Sequence, residues 1–233
     1  MVEEKLLVLT PFTERGYSKL AGYLWKSSRT TYLPIPREIC LSTTRSLFVH
    51  KVPSSYLRVW EPVLELIDRG DLVFYECYAS MSDIAEAVSA TTRLLTLVLK
   101  ARVFGKLSTS EWLSALPSTL ELHVSEWRGI LVVDRFVNYY LLAKRTTLPA
   151  VVYLDTFAPT PLDLALLLKQ GYIEWKCNLE EALWWVVRYI GDIVIPSTSL
   201  TEAHEALVKS REYREFIEKC APHEVLLHYW LLP

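Results

Sequence analysis

Glycine is scarce in this 233-residue chain, which contains only seven glycines. They are spread along the whole sequence, and no two stand close enough to form a G-x-G-x-x-G loop. Dinucleotide-binding loops need closely spaced glycines, because only a backbone without Cβ atoms can approach a pyrophosphate group. A nucleotide cradle of this kind is therefore not expected.

Long hydrophobic runs are also missing. No apolar segment approaches the roughly 20 residues that a helix needs to span a bilayer. The start, MVEEKLLVLT, opens with two acids and lacks the basic and apolar regions of a signal peptide. We expect a cytoplasmic location and no contact with a membrane.

The four cysteines are far apart in sequence, at Cys40, Cys77, Cys177 and Cys220. This spacing excludes CxxC zinc motifs, so we predict buried free thiols, with disulfides as the alternative. The chain also has only two asparagines, one glutamine and two methionines. A scarcity of such labile residues is typical of thermophilic proteins, in which intracellular disulfides do occur.

Charge is unevenly distributed, although the formal net charge is only −2, which excludes a globally basic nucleic-acid-binding protein. Residues 15–58 contain eight Lys or Arg and one acid, whereas residues 146–233 contain seven Lys or Arg and twelve acids. The asymmetry indicates either a basic surface for a polyanion and an acidic surface for proteins, or two ordinary solvated faces.

Strand-like and helix-like patterns alternate along the chain. Short continuous apolar runs, typical of strands buried on both faces, are followed by segments with apolar residues at helical spacing. This alternation predicts an α/β fold with a mainly parallel sheet flanked by helices. The main predicted strands are Lys5–Thr10, Asp71–Cys77, Arg93–Leu99, Gly129–Asp134, Ala150–Asp155 and Asp192–Pro196.

Two lobes are predicted, one at residues 1–117 and a second α/β lobe at residues 118–233 that packs on the first. A single continuous domain is the alternative. The boundary is placed in the segment Pro117–Glu126. The apolar C-terminal residues, 223–233, are expected to pack on the protein itself or to enter a groove of a partner.

Acidic residues stand at the ends of several predicted strands, where open parallel sheets bind their ligands. Asp134 and Asp155 end two strands that look adjacent, and Glu76 stands near the end of another. One hypothesis is a metal-dependent hydrolase that uses Asp134 and Asp155. The alternative is structural, with each carboxylate accepting a backbone N–H of the following helix.

Motifs of well-known catalytic chemistry are absent. The patterns G-x-S-x-G and H-E-x-x-H do not occur, and the five histidines do not cluster with acids at metal-ligand spacing. We therefore expect no catalytic residue, no bound metal and no cofactor.

Three segments resemble motifs of the DHH phosphoesterase family. The first is LVLTPFTERGYSKLAGYL, residues 7–24, which resembles a strand, a loop with two metal-binding aspartates, a glycine and a helix. Gly16 matches the glycine, but Thr13 and Arg15 stand where the family has its aspartates.

The second segment, DLVFYECYASMSDIAEA, resembles the next strand-and-helix motif, with Glu76 near the position of a metal ligand. The third, LTLVLKARV, resembles the strand that ends in Asp-His-His. Here the strand would end in Lys100, Ala101 and Arg102, so cations replace metal ligands. Cations repel divalent metals and attract phosphate.

This resemblance implies an inactivated, RecJ-like member of the family, with a DHH-like first half. Arg15, Lys100 and Arg102 would line the former active-site cleft and contact single-stranded DNA. The implied function is a non-catalytic subunit of a DNA replication or repair assembly, of the kind found in archaea and eukaryotes. Its implied partners are replication proteins such as the GINS complex and the MCM ring.

A degenerate RecA-type paralogue is the rival hypothesis. In it, Gly16-Tyr17-Ser18 would end a P-loop that has lost its lysine, and Ile130–Asp134 would be the Walker B strand. Glu76 would end the preceding acidic strand. The two hypotheses differ over Arg93–Leu99, which is a central strand in the DHH interpretation and part of a long helix in the RecA interpretation.

Overall fold

A single parallel sheet of five strands organises the fold. The computed structural model describes residues 4–42, 50–117, 124, 126–174, 176–223 and 225–226. The strands are β1 (Leu6–Leu9), β2 (Thr31–Pro36), β3 (Tyr75–Ala79), β4 (Ile130–Val133) and β5 (Ala150–Tyr153). Their order is β3-β2-β4-β1-β5, and every pair is parallel. The predicted α/β class with a parallel sheet flanked by helices is confirmed.

Helices make up most of the remaining described residues. They are α1 (Glu14–Leu24), α2 (Arg37–Cys40), α3 (Ser54–Asp68), α4 (Met81–Phe104), α5 (Thr109–Ala115), α6 (Phe136–Arg145), α7 (Pro161–Lys169), α8 (Leu179–Arg188), α9 (Leu200–Lys209) and α10 (Arg211–Cys220). A π-helical segment, Tyr189–Val194, continues α8. Within the described ranges, none of these helices has both the length and the apolar character needed to cross a membrane.

The strand β1 lies between β4 and β5. Leu6 is paired with Ile130 of β4 on one side and with Ala150 of β5 on the other. All four residues of β4 and three of the four in β1 are buried. A strand covered on both faces needs a continuous apolar run, which LLVL and ILVV provide.

Two compact units divide the chain differently from the predicted lobes. Unit 1 consists of Met1–Ala85 and Glu121–Phe157 and contains the whole sheet with α1, α2, α3 and α6. Unit 2 consists of Glu86–Leu120 and Ala158–Pro233, and its regular elements are helices throughout the described part. A division at residue 117 would separate β4 and β5 from the strands that they pair with.

Part of that predicted boundary lies outside the described residues, since residues 118–123 and 125 are not described. The same holds for the C-terminal residues from 227 onwards, so the expectation for the apolar tail stays a prediction.

The strand predicted at Arg93–Leu99 is wrong, because these residues belong to α4. Leu94, Leu97 and Val98 recur at helical spacing and pack in the core of unit 2. A long helix over this segment is what the RecA interpretation requires, and the central strand of the DHH interpretation is absent here.

Two further predicted strands need correction. β3 begins at Tyr75 instead of residue 71, because the N–H groups of Asp71 and Leu72 donate to the Leu66 carbonyl of α3 (2.9 and 3.3 Å). These hydrogen bonds belong to the end of α3, and the chain enters the sheet only after them. The strand predicted at Asp192–Pro196 is wrong, since these residues form the end of the π-helical segment and a turn.

All four cysteines form disulfides, so the prediction of buried free thiols is wrong and the alternative is confirmed. Cys40 at the end of α2 is bonded to Cys77 in β3, and Cys177 before α8 is bonded to Cys220 at the end of α10. The partners are 37 and 43 residues apart in sequence, so local spacing carries no sign of either pairing.

Candidate functional site

The sheet order creates a ligand-binding position between β1 and β4 in unit 1. The connection after β1 runs to β2 on one side, and the connection after β4 runs to β5 on the other. Since such crossovers are right-handed, α1 and α6 lie on opposite faces of the sheet. In open parallel sheets, ligands bind in the crevice that opens at such a switch point, beyond the carboxyl ends of the strands.

The loop after β1, at the edge of this switch point, is tightly packed against itself. Thr13 caps α1, and its Oγ1 accepts a hydrogen bond from the Gly16 N–H (3.0 Å). Gly16 lies against the Pro11 carbonyl, and a Cβ atom on it would come within 2.8 Å of Thr10 Oγ1. An amide that could have bound an anion at the helix N-terminus is therefore already bonded to the chain itself.

Asp134 lies at the end of β4 and is only 6% exposed. The Tyr17 hydroxyl of α1 donates a hydrogen bond to its Oδ2 atom (2.7 Å). Burial raises the pKa of Tyr17 well above its ordinary value, and the neighbouring Asp134 charge raises it further. Tyr17 is thus a protonated donor at neutral pH, and it occupies a carboxylate oxygen that a metal would need.

A second tyrosine, Tyr78, is half-buried and close enough to the same carboxylate for the Asp134 charge to act on it. The Tyr78 hydroxyl donates to the Val132 carbonyl of β4 (2.8 Å). Burial raises the pKa of Tyr78, the charge of Asp134 adds to this effect, and Arg135 opposes it. Both tyrosines therefore remain neutral and act as structural donors at the carboxyl end of β4.

Aromatic rings fill the space around Phe12 in the same loop. The Phe12 ring meets Tyr17, Tyr56 and Trp60 edge to face, at centroid distances of 6.0, 4.9 and 6.0 Å. The guanidinium of Arg135 lies 5.8 Å from the centre of the Phe12 ring. Such packing stabilises the observed conformation of the loop.

Asp155 follows β5 and binds cations of α1. Arg15 donates two hydrogen bonds to it, from Nε (2.7 Å) and Nη2 (3.2 Å), and the Lys19 ammonium lies 3.3 Å away. Burial by itself would raise the pKa of Asp155, but hydrogen bonds from Arg15, the Thr156 N–H and Lys19 outweigh it and lower the pKa. Asp155 is therefore an ionised partner for α1.

The three acids proposed as a site lie on different strands. Asp134 and Asp155 follow β4 and β5, which are separated by β1, so the prediction that their strands are adjacent is wrong. Glu76 is the second residue of the edge strand β3, where it is exposed and paired with Tyr32, so it does not end a strand. No two of the three acids belong to neighbouring strands.

The predicted cations of the former cleft are also paired with acids. Arg15 binds Asp155 within unit 1, as described above. In unit 2, Lys100 lies 3.5 Å from Glu111, and Arg102 lies 2.7 Å from Asp192.

The Arg102 guanidinium also packs against Gly191, where a Cβ atom would collide with it. Arg102 thus supports the π-helical segment, a role that its sequence context does not reveal.

A possible metal ligand group exists elsewhere, in unit 2. Among the described residues, three side chains of metal-binding type have donor atoms within 4.8 Å of one another. They are Cys177, Glu181 and Cys220. The two cysteines are joined in a disulfide, and Lys219 binds Glu181 (3.2 Å). Because metals bind thiolates, this group does not offer a metal site in its oxidised form.

The structural roles of Tyr17 and Tyr78 at this position are not visible in the sequence. Tyr17 is fully buried on α1, as is typical of a residue on an apolar helical face. Its hydroxyl meets a carboxylate 117 residues further along the chain, and no local pattern signals such a contact.

Comparisons with known proteins identified no relative of this chain. No protein-family model matches the chain, and neither the curated proteins nor the solved structures that were searched include a match. The function is therefore inferred from the geometry of the crevice between β1 and β4.

Proposed function

We propose that this protein is a non-catalytic subunit of a protein assembly, built on an α/β domain whose ligand crevice is closed by its own side chains. The observation that carries this proposal is the contact between Tyr17 and Asp134 at the switch point of the sheet. It occupies the position at which a related open sheet would hold its ligand.

The chemistry of the crevice supports the proposal. Phosphate binding after a β1 strand requires free backbone N–H groups and a lysine that reaches the phosphates. Here Thr13 caps the Gly16 amide, and no lysine stands in the loop. Metal binding requires carboxylates that converge on one point. Here Asp134 and Asp155 are bonded to Tyr17 and to Arg15.

The proposed assembly is one of DNA replication or repair, with partners such as the GINS complex and the MCM ring. This choice of partners rests on the resemblance of residues 7–24 and 71–87 to the DHH motifs. Residues 95–103, the third segment of that resemblance, lie entirely within α4 and no longer contribute to it.

A degenerate RecA-type paralogue is the second candidate. The helix over Arg93–Leu99 favours it, because this segment was the point on which the two interpretations differed. The strand β1, which leads into this loop, also pairs with β4, and Asp134 directly follows β4. This candidate likewise binds no nucleotide, since the same loop is closed.

A metal-dependent hydrolase is the third candidate, and the geometry gives it the least support. Asp134 and Asp155 follow strands that are not neighbours, and both carboxylates already accept hydrogen bonds from side chains.

Ligand binding and nuclease assays test the proposal directly. We expect no saturable binding of a fluorescent ATP or GTP analogue with Mg²⁺, and no Mn²⁺-dependent release of nucleotides from single-stranded DNA. Either activity, if abolished by Asp134→Ala in a variant that still folds, would overturn the proposal. Tagged protein purified from its host should retain replication or repair proteins, and a different set of partners would refute only that choice of assembly.

A further inference from the structure

Three side chains of metal-binding type meet at the disulfide of unit 2. Cys177, Glu181 and Cys220 have donor atoms within 4.8 Å of one another. In a tetrahedral zinc site, with Zn–S bonds of about 2.3 Å and Zn–O bonds of about 2.1 Å, neighbouring ligand atoms lie about 3.5–3.8 Å apart. The three donors are thus close to the separations that a shared ion needs, and the bond between the two sulfur atoms prevents them from binding it.

The two cysteines are held near each other by contacts other than their disulfide. The Lys176 N–H donates to the Cys220 carbonyl (3.0 Å), which ties the chain before α8 to the end of α10. Trp185 of α8 packs against Tyr213 and Phe216 of α10, at centroid distances of 5.3 and 5.2 Å. The Cα atoms of the two cysteines are 5.0 Å apart. After reduction, rotation about the Cα–Cβ bonds is therefore enough to separate the sulfur atoms to the distance of zinc ligands.

The carboxylate of Glu181 is oriented by a neighbouring cation. Glu181 lies in the first turn of α8, four residues after Cys177, and the Lys219 ammonium donates to its Oε1 atom (3.2 Å). A carboxylate has two oxygen atoms, so it can accept this bond and bind a metal as well, as ligating carboxylates commonly do. Two thiolates and this carboxylate carry three negative charges, which Zn²⁺ and the Lys219 ammonium together balance.

The group is accessible from solvent on one side. Cys177 and Glu181 are half-buried, whereas Cys220 is fully buried. Glu181 also lines an open cavity of about 310 Å³ together with Trp184 and Arg188. A small thiol can therefore reach the Cys177 sulfur, and a hydrated metal ion can reach the carboxylate.

The disulfide of unit 1 differs from this one in both respects. Cys40 and Cys77 are both buried, with exposures of 4% and 6%. Among the described residues, they belong to no group of three metal-binding side chains within 4.8 Å. The chain thus contains a second cysteine pair that lacks a third ligand and is less accessible to a reductant.

We propose that Cys177, Glu181 and Cys220 form a redox-controlled zinc site, which is blocked while the disulfide is intact and binds Zn²⁺ after a thiol reductant has opened it. Thiolate ligands select Zn²⁺ over Mg²⁺ and Ca²⁺. His223 stands three residues after Cys220 but is not among the three donors, so the fourth coordination position is left to water. The site lies in unit 2 and does not involve the crevice of unit 1, so this proposal and the proposed function fail separately.

Reduction proceeds by thiol–disulfide exchange with a dithiol. Its thiolate attacks the accessible Cys177 sulfur, the disulfide bond breaks, and Cys220 leaves as a thiolate. The second thiol of the reductant then displaces Cys177 and closes the reductant into its own disulfide. The protein gains two electrons and two protons, and the dithiol loses them. Binding of Zn²⁺ to the two thiols releases these protons, so oxidation of the pair expels the metal.

Zinc titration of the full chain in both redox states tests the proposal. The protein is reduced with excess dithiothreitol, freed of it without oxygen, and titrated with Zn²⁺ against a chromogenic chelator. We expect the reduced chain to take up one Zn²⁺ ion and the oxidised chain none, and Co²⁺ in its place should show the charge-transfer absorption of thiolate ligands. The absence of uptake by the reduced chain, or equal uptake in both states, refutes the site.

Removing one cysteine pair at a time identifies the thiolate ligands. Cys177→Ser together with Cys220→Ser should abolish zinc uptake under reducing conditions, whereas Cys40→Ser together with Cys77→Ser should retain it. Each variant loses two thiols and one disulfide, so a general effect of destabilisation would appear in both. Uptake that the first variant retains, or that both variants lose, counts against the assigned ligands.

Glu181→Gln tests the third ligand. Glu180→Gln is the matched control, because Glu180 is the exposed neighbour and its substitution removes the same charge. We expect Glu181→Gln to weaken Zn²⁺ binding about tenfold or more, since a neutral amide is a poorer zinc ligand, and Glu180→Gln to leave the affinity nearly unchanged. Both variants keep the disulfide, and wild-type melting temperatures in the oxidised state establish that they fold. Equal zinc affinities of the two variants would exclude the carboxylate as a ligand and overturn the three-ligand site.

Discussion

At the scale of single residues, the loop between β1 and α1 depends on Gly16. A side chain at this position would collide with the Pro11 carbonyl and approach Thr10 Oγ1. Thr10 and Thr13 are themselves buried, so the loop has little room into which it could relax. The glycine that resembles a motif residue therefore has a steric reason of its own to be there.

We predict that Gly16→Ala lowers the free energy of unfolding by about 1–3 kcal/mol, because overpacking forces the loop apart. Gly22→Ala in the same helix is the control, since its Cβ would meet nothing within 4 Å. It should raise the stability by about 0.5–1 kcal/mol, because alanine favours a helix interior more than glycine does. Urea denaturation measures both, and effects of the same sign would contradict the closed loop.

The Tyr17 hydroxyl is the second residue-scale determinant. We predict that Tyr17→Phe destabilises the protein by about 1.5–3 kcal/mol, because it removes a hydrogen bond to a buried carboxylate. Tyr23→Phe, at an exposed position of the same helix, should change stability little. Equal unfolding midpoints for Tyr17→Phe and the wild type would show that Asp134 does not depend on this donor.

The same tyrosines predict a loss of stability in alkali. Burial raises the pKa of Tyr17 and of Tyr78, so both stay protonated in the folded protein while the unfolded chain ionises near pH 10. Their contribution is therefore complete below about pH 10 and is lost as the pH rises above it. Unfolding midpoints measured from neutral pH into alkali should fall, and the fall should be shallower in Tyr17→Phe.

At the scale of secondary-structure elements, α4 shows why a local pattern can mislead. Its run RLLTLVL is apolar on two faces, as in a strand buried on both sides, and it contains Thr and Val, which favour strands. The long helix forms because Leu94, Leu97 and Val98 pack into the core of unit 2. Packing therefore determined the secondary structure of this segment. Tertiary contacts outweigh strand propensities, which differ among residues by only about 1 kcal/mol.

Each unit contains one disulfide, which covalently links two of its secondary-structure elements. The bond from Cys40 to Cys77 links α2 to β3, and the bond from Cys177 to Cys220 links the entry of α8 to the end of α10. Each closes a loop long enough to restrict the unfolded chain strongly.

We predict that replacing either pair by serine lowers the free energy of unfolding by about 4 kcal/mol, the value that chain entropy assigns to loops of this length. Thermal unfolding with and without reductant measures the effect in the wild type. In a variant in which all four cysteines are replaced by serine, reductant should not change the melting temperature. A wild-type melting temperature that reductant leaves unchanged, with four thiols titrating in the native protein, would contradict both disulfides.

At the scale of the whole molecule, charge limits contact with nucleic acid. The net charge is −2, and each cation predicted to contact single-stranded DNA is paired with a carboxylate. These pairs are Arg15 with Asp155, Lys100 with Glu111 and Arg102 with Asp192. A phosphate group has to displace the carboxylate before it can bind the cation.

Arg102 provides the test of the predicted DNA contact. Asp192→Asn removes its partner, so affinity for single-stranded DNA at low salt should rise. Arg102→Glu should lower the affinity and reduce the salt slope by about 0.7, the contribution of one phosphate contact on a single strand. Fluorescence anisotropy at two salt concentrations measures both. If neither substitution changes binding, Arg102 does not contact DNA, and the protein-binding part of the proposed function stands alone.

The sequence by itself determined the elements whose patterns are local. The apolar runs LLVL and ILVV predicted β1 and β4, because burial on both faces requires a continuous apolar segment that a short window reveals. The alternation of such elements was enough to predict a parallel sheet flanked by helices.

Only the tertiary structure decided the order of the strands, the helical state of Arg93–Leu99 and the disulfide pairs. It also decided the state of the crevice, where Tyr17 reaches Asp134 over 117 residues and Arg15 reaches Asp155 over 140. Each of these outcomes depends on groups that are distant in the chain and become neighbours through packing. A contact between such groups leaves no period or motif in either segment, so it becomes visible only when the sheet has brought the two together.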